Sequence, residues 1–173
     1  MKRLLTQLLT AGLGLALLAT PAFAQGGLMV GGGLTLPQGD FKDAVKSGYH
    51  GMAALDFGVL GAPLGIRLDG AYHLNPFDLP GDPDAKANVI TLSGDVVYTF
   101  PAVGIKPYAV GGVTWGRSKC VGDACASDNA NSTTGFNVGG GVHLGPLFAE
   151  ARYISLGGDV NVKMVPLTVG FHF

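Results

Sequence analysis

Five charged side chains stand inside segments that are otherwise almost free of charge. They are Arg67 and Asp69 in LGIRLDGAYHL, Asp95 in NVITLSGDVVYTF, and Glu150 and Arg152 in LFAEARYIS. Side chains two positions apart on an extended chain point to the same side, so all five can meet on one face. Two chemistries follow from such a meeting. In one, arginines and carboxylates neutralise each other in a buried lock, because an unpaired ion away from water is strongly destabilising. In the other, one arginine exchanges carboxylate partners and opens a pore.

Other reactive residue types are scattered. His50 and His73 fall near one end of neighbouring segments, and His143 and His172 near the other end. Two imidazoles are half of a zinc coordination sphere, and no third ligand stands at a suitable spacing. Asp78, Asp82 and Asp84 in DLPGDPD do not have the spacing of a calcium loop and read as an exposed acidic loop. Ser93 lies mid-segment, and no histidine precedes a serine at a spacing that suggests a nucleophile with its base. Gly31-Gly32-Gly33 follows no strand-to-helix pattern, so it is not a phosphate loop. No catalytic residue, metal or cofactor is expected.

The elements that would position these residues start after a leader. MKRLLTQLLTAGLGLALLATPAFA carries Lys2 and Arg3, an apolar run through Leu18, and the small-x-small pattern Ala22-Phe23-Ala24. That is a secretory signal peptide over residues 1–24, with the mature domain over 25–173. Of 11 basic residues, loss of Lys2 and Arg3 leaves 9 against 12 acidic, a net charge of −3. Phosphate contacts need a basic surface, so a nucleic-acid partner is not expected. In an exported chain, oxidation is the default for thiols. Cys120 and Cys125 in KCVGDACASDN, with the turn-forming Gly122-Asp123 between them, are expected to close a local disulfide loop.

After residue 24 no helical stripe emerges. Segments of about ten residues recur instead: 27–35, 49–59, 64–74, 88–100, 105–116, 133–144, 147–155 and 163–173. The breaks between them run long, short, long, short, long, short, medium. An antiparallel up-and-down meander gives that rhythm when one end is tight and the other projects. Strands of about 9–11 residues span a bilayer at a tilt. Each segment alternates, with Leu64, Ile66, Leu68, Tyr72 and Leu74 against Arg67, Asp69 and His73 as one example. Charge always falls on the less apolar face.

Alternation alone would also fit a soluble barrel with its apolar face inside. The polar face, however, is poor in charge and holds both signs near mid-strand, as a closed interior of paired groups requires. The composition, 47% hydrophobic and only 13% charged with 29 Gly, suits a surface that meets lipid. Aromatics gather at segment ends: Tyr49, Tyr72, Phe136 and Tyr153 beside the long breaks, Phe57, Tyr98, Phe100, Phe171 and Phe173 beside the short ones. Two such girdles mark the interfaces of a membrane barrel. The segment 105–116 is less regular, because Tyr108 and Trp115 have opposite parity. A bulge at Gly111-Gly112 is the expected cause.

With these features together the chain resembles the small outer-membrane β-barrel superfamily, which includes the OmpA transmembrane domain, OmpX, Ail-like and opacity-type proteins. The resemblance implies an all-β fold: an eight-stranded antiparallel transmembrane barrel, monomeric, in the cell outer membrane and surrounded by its lipid. It also implies that the closing alternation VPLTVGFHF, with Leu167, Val169, Phe171 and Phe173, is read by the outer-membrane barrel assembly machinery. No appended peptidoglycan-binding domain is expected. The breaks at 36–48, 75–87 and 117–132 would face outward and carry any extracellular ligand. Some eight-stranded barrels act on the acyl chains of lipid A, and a narrow gated channel is the other alternative. The expected role is structural or surface-interacting, without catalysis.

Overall fold

Period-two alternation places every second side chain on one face, and here the strands close that face into a lumen. The computed structural model describes residues 26–59, 61–77, 85–121, 130–157 and 161–173. The expected leader and Asp78, Asp82, Asp84 and Cys125 lie outside these. The strands are β1 (Gly26–Gln38), β2 (Gly48–Gly58), β3 (Leu64–Pro76), β4 (Lys86–Thr99), β5 (Ile105–Val121), β6 (Asn131–Leu144), β7 (Leu147–Leu156) and β8 (Val162–His172). Each pairs antiparallel with the next, and β1 pairs with β8 to close the barrel. Closure leaves no row of unpaired N–H and C=O groups to face hydrocarbon, which is the condition for crossing a bilayer with strands.

The faces settle which way the barrel is turned. Leu68 is 53% exposed on β3, while its neighbours Arg67 and Asp69 are 0% and 9% exposed. Leu28, Leu92, Val113, Phe136, Val138 and Val169 are exposed in the same way on other strands. Along the middle of the strands apolar side chains point out and charges point in, the reverse of a soluble barrel. The aromatic girdles are present, with Tyr98 edge-on to Phe100 at 4.9 Å between ring centroids and Phe136 beside Tyr153 at 6.3 Å.

At one end the connections are tight. The two-residue turn Gly145-Pro146 joins β6 to β7, with Gly145 at φ 59°, a conformation that side-chain-bearing residues rarely adopt. At the other end the connections are longer, but less so than the alternation implied. β5 continues to Val121 and β6 starts at Asn131, whereas the break was expected over 117–132. In the same way β3 runs to Pro76 and β4 begins at Lys86, where the break was expected over 75–87. Beyond the lipid both faces of a strand can be polar, so the ladder persists where the hydrophobic signal has stopped. Asn88 still pairs with Lys119, and Lys86 with Val121.

Two further expectations are corrected. β5 holds an unbroken register against both β4 and β6 from Tyr108 to Arg117, so Gly111-Gly112 makes no bulge. Tyr108 and Trp115 differ in parity because Tyr108, 2% exposed, faces the lumen while Trp115, 37% exposed, faces out. The stretch 36–48 is not wholly an outward loop either. β1 continues to Gln38, and a single helical turn, α1 (Asp40–Ala44), folds across the barrel mouth. Phe41 and Val45 are buried against Ala87, Val89, Ile154, Leu156, Val162 and Met164. A bridge between Val45 and Phe77 and the bond from Asn75 Nδ2 to the Lys46 carbonyl (3.0 Å) fasten the turn in place. Five residues with one apolar anchor leave no helical periodicity to detect.

Replacing Leu68 with arginine puts a charge on the lipid face near mid-strand. The expected cost is about 2–4 kcal/mol of folding free energy in lipid vesicles, read by denaturant titration. An unchanged midpoint would contradict the assignment of faces.

Candidate functional site

The lumen is built in layers by side chains that alternate strands deliver inward. Its centre is ionic, and all five charges expected there are present and buried. Arg67 on β3 is fully buried and grips Asp56 on β2 with two nitrogens, Nε to Oδ1 at 2.6 Å and Nη2 to Oδ2 at 3.0 Å. Its Nη1 donates to Glu150 Oε2 at 2.5 Å. Arg152 on β7 donates to Glu150 Oε1 through Nη2 at 2.8 Å and Nε at 3.1 Å. Its Nη1 serves Asp69 and Asp95 at 2.8 and 2.9 Å. Planar guanidinium forks suit such multiple carboxylate contacts. Two arginines thus hold four carboxylates, with Glu150 as the bridge between the two forks.

Neutral groups complete the network. Tyr108 donates its hydroxyl to Glu150 Oε2 at 2.9 Å, and the Arg67 guanidinium lies 5.1 Å from the centroid of its ring. Asn137 on β6 donates to Asp95 Oδ1 at 2.7 Å and to Thr114 Oγ1 at 2.9 Å. Ser93 shares a hydrogen bond with Thr114 at 3.0 Å, which places it in the packing of the lumen. Asp56, Tyr108 and Asn137 were not among the five residues expected in the cluster. Asp56 and Asn137 carried the correct parity, and the irregular parity of Tyr108 against Trp115 was itself the sign of an inward ring. Room for that ring comes from Gly141, its partner across β5 and β6, where a Cβ would lie 2.5 Å from the Tyr108 hydroxyl.

Toward the long-loop end, beneath α1, lies a histidine layer. His50 and His73 face each other across β2 and β3 with ring centroids 5.2 Å apart. Thr35 Oγ1 meets the Nδ1 of both, at 3.1 and 2.9 Å, and the two Nε2 atoms meet Thr168 at 2.9 Å and Thr91 at 3.3 Å. Every ring nitrogen of this pair is therefore engaged by a hydroxyl. A void of about 20 Å³ between this layer and Asp69, Glu150 and Arg152 has the size of a single water. At the tight-turn end His143 and His172 lie with ring centroids 5.0 Å apart, tilted by 47°. They line a cavity of about 380 Å³ that also touches Asp56, Val97, Thr99 and Lys106.

The residues of the closing alternation lie on the outer surface of the barrel. Leu167, Val169, Phe171 and Phe173 are all exposed on the outward face of the closing segment, and the Phe173 and Leu28 backbones bond each other in both directions. Cys120, near the end of β5, is disulfide-bonded, and Cys125 lies outside the described residues.

Removal of one member of such a network strands the others as buried charge. Arg152→Met is expected to cost about 3–5 kcal/mol, and Tyr108→Phe about 1–3 kcal/mol, by denaturant titration in vesicles. A midpoint for Arg152→Met at or above that of the wild type would show that the guanidinium does not hold the core.

The comparisons agree with this architecture. Residues 9–173 match the family described as outer membrane protein beta-barrel domain. No curated protein matches the sequence at a significant level. Among solved structures, Neisserial surface protein A (NspA) is similar at 19% identity with a TM-score of 0.67, over 85% of this chain and 95% of that one. Ail, the attachment invasion locus protein of Yersinia pestis, is similar at 17% with a TM-score of 0.55, over 86% and 99%. The outer membrane enzyme PagL is similar at 15% with a TM-score of 0.50, over 86% and 98%. At these identities the likeness is one of fold. With the family match over almost its whole length, the chain belongs to the outer membrane protein beta-barrel domain family and is an outer-membrane protein.

Proposed function

We propose that this protein is a sealed, non-catalytic outer-membrane barrel that acts at the cell surface through its long-loop end. The observation that carries the reading is the double closure of the lumen. The ionic core leaves Arg67 0% and Arg152 4% exposed, and the apolar cluster around Phe41 and Val45 lies across the mouth above it. The 380 Å³ cavity brings solvent from the tight turns as far as Asp56, and Arg67 lies buried beyond it. The outward strand faces are committed to lipid, so recognition falls to the connections at the long-loop end.

The same reading makes the barrel a monomer whose leader is removed after Ala24. Its Leu167, Val169, Phe171 and Phe173 face is presented to the assembly machinery, and Cys120 pairs with Cys125 to brace the connection between β5 and β6. Against an enzyme, the hydroxyls beside imidazoles, Thr35, Thr91 and Thr168, are buried and bonded within the histidine layer.

In planar bilayers the purified wild-type barrel is expected to give no stepwise conductance, and lipid A from expressing cells is expected to keep its mass. Sustained conductance that is lost in Arg67→Ala or Arg152→Ala would replace this reading with a gated channel; a mass change would replace it with a lipid A modifying enzyme. On gels of boiled and unboiled outer-membrane fractions, wild type is expected to show the faster-migrating folded band, and a chain lacking Phe173 to show much less of it. Equal folded bands would remove the assembly role of the terminal aromatic.

A further inference from the structure

Five side chains of the histidine layer join into one unbranched chain: Thr168 on β8, His50 on β2, Thr35 on β1, His73 on β3 and Thr91 on β4. All five are buried, and hydroxyl alternates with imidazole along the chain. It spans five neighbouring strands and crosses the β1–β8 seam. Gly33 makes that crossing possible. It stands opposite both His50 and Thr168, and a Cβ there would run into the Leu167 carbonyl and lie 3.2 Å from the Thr168 Cα. With no side chain at Gly33, His50 Nε2 reaches over β1 to the Thr168 hydroxyl.

Thr35 fixes how the protons are distributed. Its single hydroxyl hydrogen can go to only one of the two Nδ1 atoms that it meets. The other Nδ1 must be the donor, so the two rings differ at that nitrogen. A neutral imidazole has one N–H and one lone pair, and opposite tautomers follow for His50 and His73. The distances then choose the direction, because hydroxyl donors make the shorter bonds. Read from Thr168, the links measure 2.9, 3.1, 2.9 and 3.3 Å. The short links fall on hydroxyl donors if Thr168 donates to His50 Nε2, His50 Nδ1–H to Thr35, Thr35 to His73 Nδ1, and His73 Nε2–H to Thr91. The nearest charged groups, Asp69, Glu150 and Arg152, face this layer across the 20 Å³ void. They are bonded within the ionic core, and none of them bonds a ring nitrogen of the pair. A second proton on either ring would take the acceptor from the buried Thr35 or Thr168 hydroxyl.

We infer that these five residues form a two-state clasp across the seam, a directional hydrogen-bond chain with His50 protonated at Nδ1 and His73 at Nε2, which reverses only as a unit. Reversal moves the His50 proton from Nδ1 to Nε2 and the His73 proton from Nε2 to Nδ1, while the hydroxyls turn to match. No proton is gained or lost. A change at Thr91 on β4 thereby reaches Thr168 on β8, and couples the far side of the histidine layer to the strand that closes the barrel.

The test reads the ring tautomers by long-range 15N–1H correlation on the full barrel, labelled at histidine, in phospholipid nanodiscs at neutral pH. His143→Gln and His172→Gln assign the signals. Wild type is expected to show His50 protonated at Nδ1 alone and His73 at Nε2 alone. The same tautomer on both rings, the reverse assignment or a doubly protonated ring would overturn the chain. Thr91→Val removes the acceptor of His73 Nε2–H, so His50, which does not touch Thr91, is expected to switch to the Nε2–H tautomer. Thr114→Val, in the lumen but outside the chain, is expected to leave both rings as in wild type. An unchanged His50 in Thr91→Val, or an equal switch in Thr114→Val, would overturn the coupling. If Thr91→Val does not fold, Thr35→Val decides: both rings are expected to carry the proton at Nε2, and opposite tautomers that persist without Thr35 overturn the proposal.

Discussion

Closure of the β1–β8 seam is the constraint on which the rest of this molecule depends. A sheet in hydrocarbon has no water to satisfy an open edge, so β1 and β8 must pair along their length. They do so from Met29 with His172 to Gln38 with Lys163. The seam is poor in side chains on one side, with Gly31-Gly32-Gly33 opposite Gly170, Val169 and Thr168. A Cβ on Gly31 would come within 3 Å of the Val169 carbonyl and the Phe148 ring. The glycine run therefore serves close backbone approach and room for an inward aromatic.

Once the sheet closes, a second constraint appears. Eight strands enclose an interior wide enough for side chains and little else, so every inward residue is buried whatever its chemistry. Polar inward residues must then satisfy one another. The bidentate contact of Arg67 with Asp56, the bridge through Glu150, and the sharing of Arg152 Nη1 by Asp69 and Asp95 are the solution found here. Such a network adds specificity of packing at a desolvation cost, and that cost is offset because the outward apolar face already commits the chain to lipid.

Much of this was legible because two periodicities coincide. The side-chain period of two labelled the faces, and the break lengths labelled the ends. Arg67, Asp69, Asp95, Glu150 and Arg152 were identifiable because a charge within an apolar strand must turn inward. What escaped were features without a period. Phe41 anchors a lid from within a single helical turn, and nothing in DFKDA distinguishes it from an exposed loop. Residues 117–121 stay paired although both of their faces are polar or small, so the ladder outlasts the hydrophobic signal. Tyr108 was credited to a bulge because its parity opposes that of Trp115, although that parity points to the lumen.

Amide hydrogen exchange along the seam in a bilayer tests closure most directly. The account predicts that amides of Gly33, Leu34, Leu167 and Thr168 are protected to the same degree as their counterparts in the β3–β4 ladder, such as Leu68 and Gly94. Rapid exchange confined to β1 and β8, with β3 and β4 protected, would mean an open sheet and would contradict both the sealed lumen and the ionic core built on it.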